Sequence, residues 1–332
     1  MTPTWTRLPD LASRAVGGSV VWANDELFAE RENLITPAEA EYRPHTFGHR
    51  GQVYDGWETR RRREPGSDSA VVRLGLPGVV RGVVVDTAWF KGNYPPFASV
   101  EGTHALGYPS PEELTDWEPL VPKSPLGGDQ KHYFDVDVER RYTHVRLTMY
   151  PDGGIARLRV HGSPVPDPDL LVPGALDLAA LENGAAIAGC SNDFFGKPAN
   201  LIAPGQAGSM GEGWETARRR DDGNDWVEVT LAAPGVVTLA ELDTTHFKGN
   251  APGWASIRGR DARKDPDDWF ELLPRTRLQP DTRHRFRVEG PEATHARLDI
   301  YPDGGMARMR LFGSLTDAGL DQLTARYADL TR

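Results

Sequence analysis

The sequence predicts an all-β protein made of two tandem jelly-roll β-sandwich domains followed by a short C-terminal helix. Three observations carry this. The 332-residue chain repeats itself: Asp86-Thr87-Ala88-Trp89-Phe90-Lys91-Gly92-Asn93 returns 157 residues downstream as Asp243-Thr244-Thr245-His246-Phe247-Lys248-Gly249-Asn250, identical at six of eight positions. Each copy breaks into short, β-branched, alternating runs that are too brief for helices. Abundant glycine (35) and proline (27) supply the turns such runs need.

The elements follow in order. The first apolar run, Ser19-Val20-Val21-Trp22, comes after Gly17-Gly18, and its partner region opens at Asp177. An offset of 167 residues holds from there through Leu34-Ile35 and Leu201-Ile202, then falls to 157. The first copy therefore carries ten extra residues between Ile35 and Gly56, among them His45 and His49, which have no counterpart. Gly56-Trp57-Glu58-Thr59-Arg60-Arg61-Arg62-Arg63 is answered by Gly213-Trp214-Glu215-Thr216-Ala217-Arg218-Arg219-Arg220. Two strands split by Pro77-Gly78 come next, and two split by Pro234-Gly235 match them. The block Thr143 to Gly154, repeated as Thr294 to Gly305, reads as a half-buried strand ending in a Pro-Asp-Gly-Gly turn. With its return strand, Ile155 to Gly162, it predicts that each copy ends in a hairpin. A stiff proline-rich linker covers 164–175. Leu320, Leu323, Tyr327 and Leu330 fall at helical spacing after Thr316. The expected domains are thus 9–163 and 176–314, with the helix in 315–332.

Composition narrows the function. The formal charge of −10 argues against a general nucleic-acid binder, which needs a net basic face. It leaves room for a small anionic ligand read by local arginines. No run of about 18 apolar residues is present, so no membrane span is expected. Cys190 is the single cysteine, which excludes an intrachain disulfide and a cysteine-rich zinc site. With no secretory pattern at the start, the expected setting is cytoplasmic. A closed homo-oligomer is the general expectation for such a chain.

Several doubled blocks carry a family resemblance. Gly-Trp-Glu-Thr-Arg-Arg in the first copy, followed about thirty residues on by Asp-Thr-x-x-Phe-Lys-Gly-Asn, resembles the allantoicase (allantoate amidinohydrolase) family. Thr-His-x-Arg-Leu-x-x-Tyr-Pro-Asp-Gly-Gly-x-Ala-Arg, twice over, and Asn-Leu-Ile at 33–35 and 200–202 are similar to the same family. The resemblance spans residues about 9 to 314. It implies tandem sandwiches of the galactose-binding-like kind. It also implies hydrolysis of allantoate to ureidoglycolate and urea, a step in purine breakdown through allantoin.

That chemistry defines what a site must contain. Allantoate is a carboxylate whose central carbon bears two ureido groups, and the departing ureido nitrogen must gain a proton. An arginine fork suits the carboxylate, amides suit the ureido arms, and His, Glu or Asp can move the proton. The proton-moving candidates are Glu58, Asp86, Glu215, Asp243 and His246. The substrate-holding candidates are Arg61, Lys91, Asn93, Arg218, Lys248 and Asn250. His246 draws notice because it stands where the first copy has Trp89; His45 and His49 are weaker candidates of the same kind. Each also has a bland reading: strand-end salt bridges for the arginines, a turn for Phe-Lys-Gly-Asn, backbone capping for the aspartates. His144 and His295 read as structural. No local ligand spacing signals a metal, although a divalent ion assembled from distant residues stays open. The alternative function is a non-catalytic tandem carbohydrate-binding or small-ligand-binding protein, suggested by nine tryptophans.

Overall fold

The computed structural model describes residues 2–171 and 176–332. The chain divides into two compact units, Met1–Val165 with Leu330–Arg332, and Pro166–Asp329. Each unit is organised by one 19-residue strand, Asp68–Asp86 in the first and Asp225–Asp243 in the second. Pro77-Gly78 does not split this strand in two, as its composition suggested; it marks where the strand changes partners. Before that point Asp68 to Arg73 pair with the strand Arg141–Tyr150, a ladder that resumes out of register only at Gly78 and Val79, and Ala70 to Arg73 also pair with Ser19–Ala23. Beyond it Gly78 to Asp86 pair with Arg157–Pro164, and Gly82 to Asp86 with Lys131–Asp135. All these pairings are antiparallel, so one strand contributes to both layers of the sandwich. Proline is tolerated at the switch because the ladder is already irregular there.

The core lies between the layers. Val72, Val83, Leu147 and Leu158 from the long strand and its neighbours are buried, as are Trp57 and Phe90. Burying side chains of this size stabilises by about 1.5–3 kcal/mol each. In the second unit Val229, Leu242, Leu298, Trp214 and Phe247 repeat the pattern. Trp117 and Trp269, which recur at one fold position and read in sequence as core, are each half-buried beneath an arginine, Arg146 and Arg260, at 4.5 Å from guanidinium to ring centre.

The expected terminal hairpin does not form. Arg141–Tyr150 and Arg157–Pro164 both pair with the long strand and not with each other. Between them, Gly154-Ile155 makes its own short ladder with Trp57-Glu58. Pro-Asp-Gly-Gly is therefore a crossing between layers. Of the expected linker, Pro164 still belongs to a strand, Pro168–Leu170 form a 3-10 turn, and 172–175 lie outside the described residues. The C-terminal helix is Asp317–Leu330, capped by the Thr316 hydroxyl accepting from the Gly319 N–H at 3.2 Å. Gly319 lies against the Pro234 carbonyl and Leu323 is buried, whereas Leu320 stays exposed. No described helix is long and apolar enough to cross a membrane.

Candidate active site

Three doubled motifs, far apart in sequence, meet at one place in each unit. In the first, the Gly154 N–H donates to the Asn93 carbonyl at 2.7 Å, and the Thr59 N–H donates to the Gly153 carbonyl at 3.0 Å. The Asp152 carboxylate accepts the Arg62 N–H at 2.8 Å. Phe90 is clamped between glycines: a Cβ on Gly154 would lie 2.0 Å from its ring and one on Gly56 2.7 Å. Only glycine permits that approach. Asn33 adds a tie, its side-chain amide donating to the Gly56 carbonyl at 3.0 Å, while Leu34 and Ile35 anchor it in the core. The second unit repeats the crossing, with Gly305 to Asn250 at 2.8 Å, Thr216 to Gly304 at 3.1 Å, and Arg219 to Asp303 at 2.8 Å.

The crossing brings Glu58 and Asn93 together. The Asn93 amide donates to Glu58 Oε1 at 2.7 Å, and Asn250 donates to Glu215 Oε1 at the same distance. Burial raises the Glu58 carboxyl above the usual carboxylate range, and the Asn93 N–H offsets only part of that. Desolvation, helped by the nearby Glu58 and Tyr42, likewise raises the Tyr54 hydroxyl.

Around Glu58 the first unit opens a cavity of about 410 Å³, lined by Phe28, Arg50, Gln52, Tyr54, Glu58 and Asn93, with Gly51 and Gly92. Arg50, Gln52 and Tyr54 come from the stretch that holds the ten extra residues. Phe47-Gly48 pairs with Gly51-Gln52, which leaves His49 and Arg50 as a two-residue hairpin tip. Arg50 Nη1 donates to the Glu26 carbonyl at 3.1 Å, and among the described residues no carboxylate pairs with its guanidinium. Tyr54 stacks on Phe90 at 5.2 Å. The second unit has no counterpart of Arg50 or Tyr54; there Met210 Sδ lies 3.2 Å from the Asn250 amide.

The other residues singled out in the sequence take different places. Asp86 is buried with its carboxyl accepting the Ala88 N–H at 2.9 Å, and burial raises its pKa. Asp243 does the same for Thr245, through the N–H at 2.8 Å and the hydroxyl at 2.5 Å. Arg61 and Arg218 are exposed, and neither lines the cavity. Lys91 is exposed, 3.6 Å from Asp129, and Lys248 is exposed. His246 Nε2 lies 3.0 Å from the Ala207 carbonyl, matching Trp89 Nε1, which donates to the Ala40 carbonyl at 2.8 Å. Both residues tie the same loop, and both hold positive φ, 74° and 70°. His45 and His49 are exposed and outside the cavity lining. His144, beside the Thr143 hydroxyl at 2.9 Å, is buried, and burial with nearby Arg73 pushes it down to about 4. Among the described residues no group of three His, Cys, Asp or Glu gathers to hold a metal ion.

A cavity this small, lined by a carboxyl, a guanidinium and two side-chain amides, suits an enzyme of small polar molecules, and the relatives of this duplicated sandwich place it among hydrolases of that kind. An allantoicase-repeat family model matches residues 9–165 and 176–316. A probable allantoicase of Nocardia farcinica is 60% identical over 317 residues, covering 94% of this chain and 95% of that one. One from Pseudomonas aeruginosa is 47% identical, covering 92% and 95%. The crystal structure of allantoicase from Saccharomyces cerevisiae is 34% identical, with a TM-score of 0.78 over 92% of this chain and 93% of that one. The chain belongs to the allantoicase family.

Proposed function

We propose that the first-unit cavity is where this chain hydrolyses allantoate to ureidoglycolate and urea, with Glu58 moving the proton and Arg50 holding the carboxylate. Family membership supplies the reaction. The observation that carries the placement is Arg50, a guanidinium without a carboxylate partner among the described residues, lining the same cavity as a carboxyl raised by burial. A half-buried carboxyl whose pKa desolvation raises is suited to act as a general acid. Asn93 and Gln52 offer amides to the ureido arms, and Phe28 and Tyr54 supply the walls.

Protonated Glu58 gives its proton to one ureido nitrogen, and urea leaves with the bonding pair. The lone pair of the remaining ureido nitrogen fills the vacated position as an iminium. Water then adds to the central carbon and returns a proton to the Glu58 carboxylate. Glu215 and His246 stand outside this proposal because their unit lacks an arginine at the position of Arg50. Family membership favours the hydrolase over the sugar-binding alternative, and the paired tryptophans offer no open platform: Trp57 and Trp214 are buried and Trp117 and Trp269 lie under arginines.

Assaying urea from allantoate with purified protein tests the reading, and no urea with or without added divalent metal would sink it. A cytoplasmic homo-oligomer is part of the same reading, supported by the single cysteine and by general priors. Sedimentation equilibrium decides the oligomeric part.

A further inference from the structure

The loop that carries Arg50, Gln52 and Tyr54 is twice as long as its counterpart, and it is fastened differently. In both units a buried arginine on the strand after the crossing donates to loop carbonyls. Arg157, 1% exposed, reaches the carbonyls of Ala38 at 2.9 Å, Asp55 at 3.2 Å and Glu39 at 3.4 Å. Arg308 reaches those of Gly205 at 3.1 Å and Glu212 at 2.8 Å. Arg310, reaching the Ala203 carbonyl at 2.5 Å and that of Gly205 at 2.8 Å, and His246 at the Ala207 carbonyl add to the hold on the short loop. At the long loop, where Lys131 pairs with Glu39 at 2.7 Å, the buried arginine has a further partner, a side chain: the Asp55 carboxylate pairs with Arg157 Nη2 at 2.9 Å and accepts the Glu41 N–H at 2.8 Å. Its aligned residue, Glu212, turns away and accepts the Gly208 N–H at 2.8 Å.

We infer that Asp55 is a positioning residue for the active site, a clasp that holds the two ends of the 41–55 loop together on buried Arg157 so that Arg50 and Tyr54 face Glu58. Asp55 touches no reacting atom; it is next to Tyr54 in sequence and joins the start of the loop to its end. The scaffold beneath does not need it, since the second unit folds the same crossing around Arg308 without such a pair. This inference rests on the cavity assignment above for its kinetic half only.

The test uses the full chain with Asp55→Asn, which removes the charge but keeps an oxygen to accept. A second variant, Glu41→Pro, removes the donated N–H and leaves Arg157 paired. Two readouts are taken, urea-release kinetics and tryptic cleavage after Arg50. The expected result for both variants is a kcat/KM lower by up to about 100-fold, carried mainly by a raised KM. Cleavage at Arg50-Gly51 should be faster on the order of tenfold. A purely structural role would lower the melting temperature while leaving the KM of the folded fraction unchanged. Unchanged KM and unchanged cleavage in either folded variant overturn the clasp. If Asp55→Asn fails to fold, Glu41→Pro decides alone. If the parent releases no urea, the active-site reading fails separately, and the cleavage arm still decides the clasp.

Discussion

The same substitution made in each repeat separates chemistry from architecture. Glu58→Gln and Glu215→Gln are nearly isosteric, and each leaves an amide oxygen to accept the asparagine N–H that now reaches Oε1 at 2.7 Å. The structural cost should therefore be similar at both sites and within about 1 kcal/mol, the net worth of one such bond. The chemical cost should differ sharply. A side-chain amide in place of the Glu58 carboxyl can neither give a proton to the leaving nitrogen nor take one from water, and general acid–base catalysis contributes about 10²–10⁴-fold. Glu58→Gln should thus lower kcat by roughly that factor, whereas Glu215→Gln should stay within about twofold of the parent. Initial rates of urea release at saturating allantoate, with thermal melts on the same samples, measure both. Equal losses at the two positions would refute the one-site reading, and a fully active Glu58→Gln would refute Glu58 as the proton carrier.

Three more outcomes are expected. The Asn93 N–H favours the ionised form of Glu58, so Asn93→Ala should raise the Glu58 pKa further. Because the acid form starts the reaction, the falling limb of the kcat/KM profile should then move to higher pH; a shift to lower pH contradicts the role. His144 is pushed down to about 4 from an unfolded value near 6.5, so the unfolded chain binds the proton first. Its contribution is present above pH 6.5 and lost as pH falls toward 4, about 3 kcal/mol in all. Urea melts at pH 7 and 5 should show His144→Gln flattening that slope. Finally, His246→Phe removes only a loop tie at 3.0 Å, which predicts a loss of about 1 kcal/mol and kcat within about twofold. A loss of kcat by orders of magnitude would return His246 to the chemistry.

Much of the fold was legible because duplication and alternation are local signals. Glu58 and Asn93 were legible as residues because both copies keep them. Their meeting was not, since it depends on Gly153 and Gly154 packing against Phe90 and Asn93 across a layer crossing that reads in sequence as an ordinary hairpin turn. The Pro77-Gly78 break misled for a related reason: composition shows that a ladder is interrupted, not that the strand continues with new partners. Arg50, Gln52 and Tyr54 carry no signal of their own in the sequence beyond the insertion that holds them. Histidines draw attention there, but what places a side chain in the cavity is the hairpin register Phe47 to Gln52 and an ion pair between residues 102 apart in sequence. His246 stands out in the sequence because it replaces an aromatic at a duplicated position; in the structure it and Trp89 make the same contact, a ring nitrogen aimed at a carbonyl.

The loop fastened by Arg157 and Asp55 has a consequence for how such a protein can change. The side chains proposed to face the ligand sit on a loop that the second half lacks, while Glu58, proposed to move the proton, belongs to the frame that both halves share. On that reading, substitutions at Arg50 and Gln52 would alter which anion is admitted while leaving the interior as it is, whereas Tyr54 is tied to it through its stack on buried Phe90; the second half shows that the frame closes without the ten extra residues. If that loop reads the substrate, recognition is an accessory that inheritance can edit separately from the chassis that carries it.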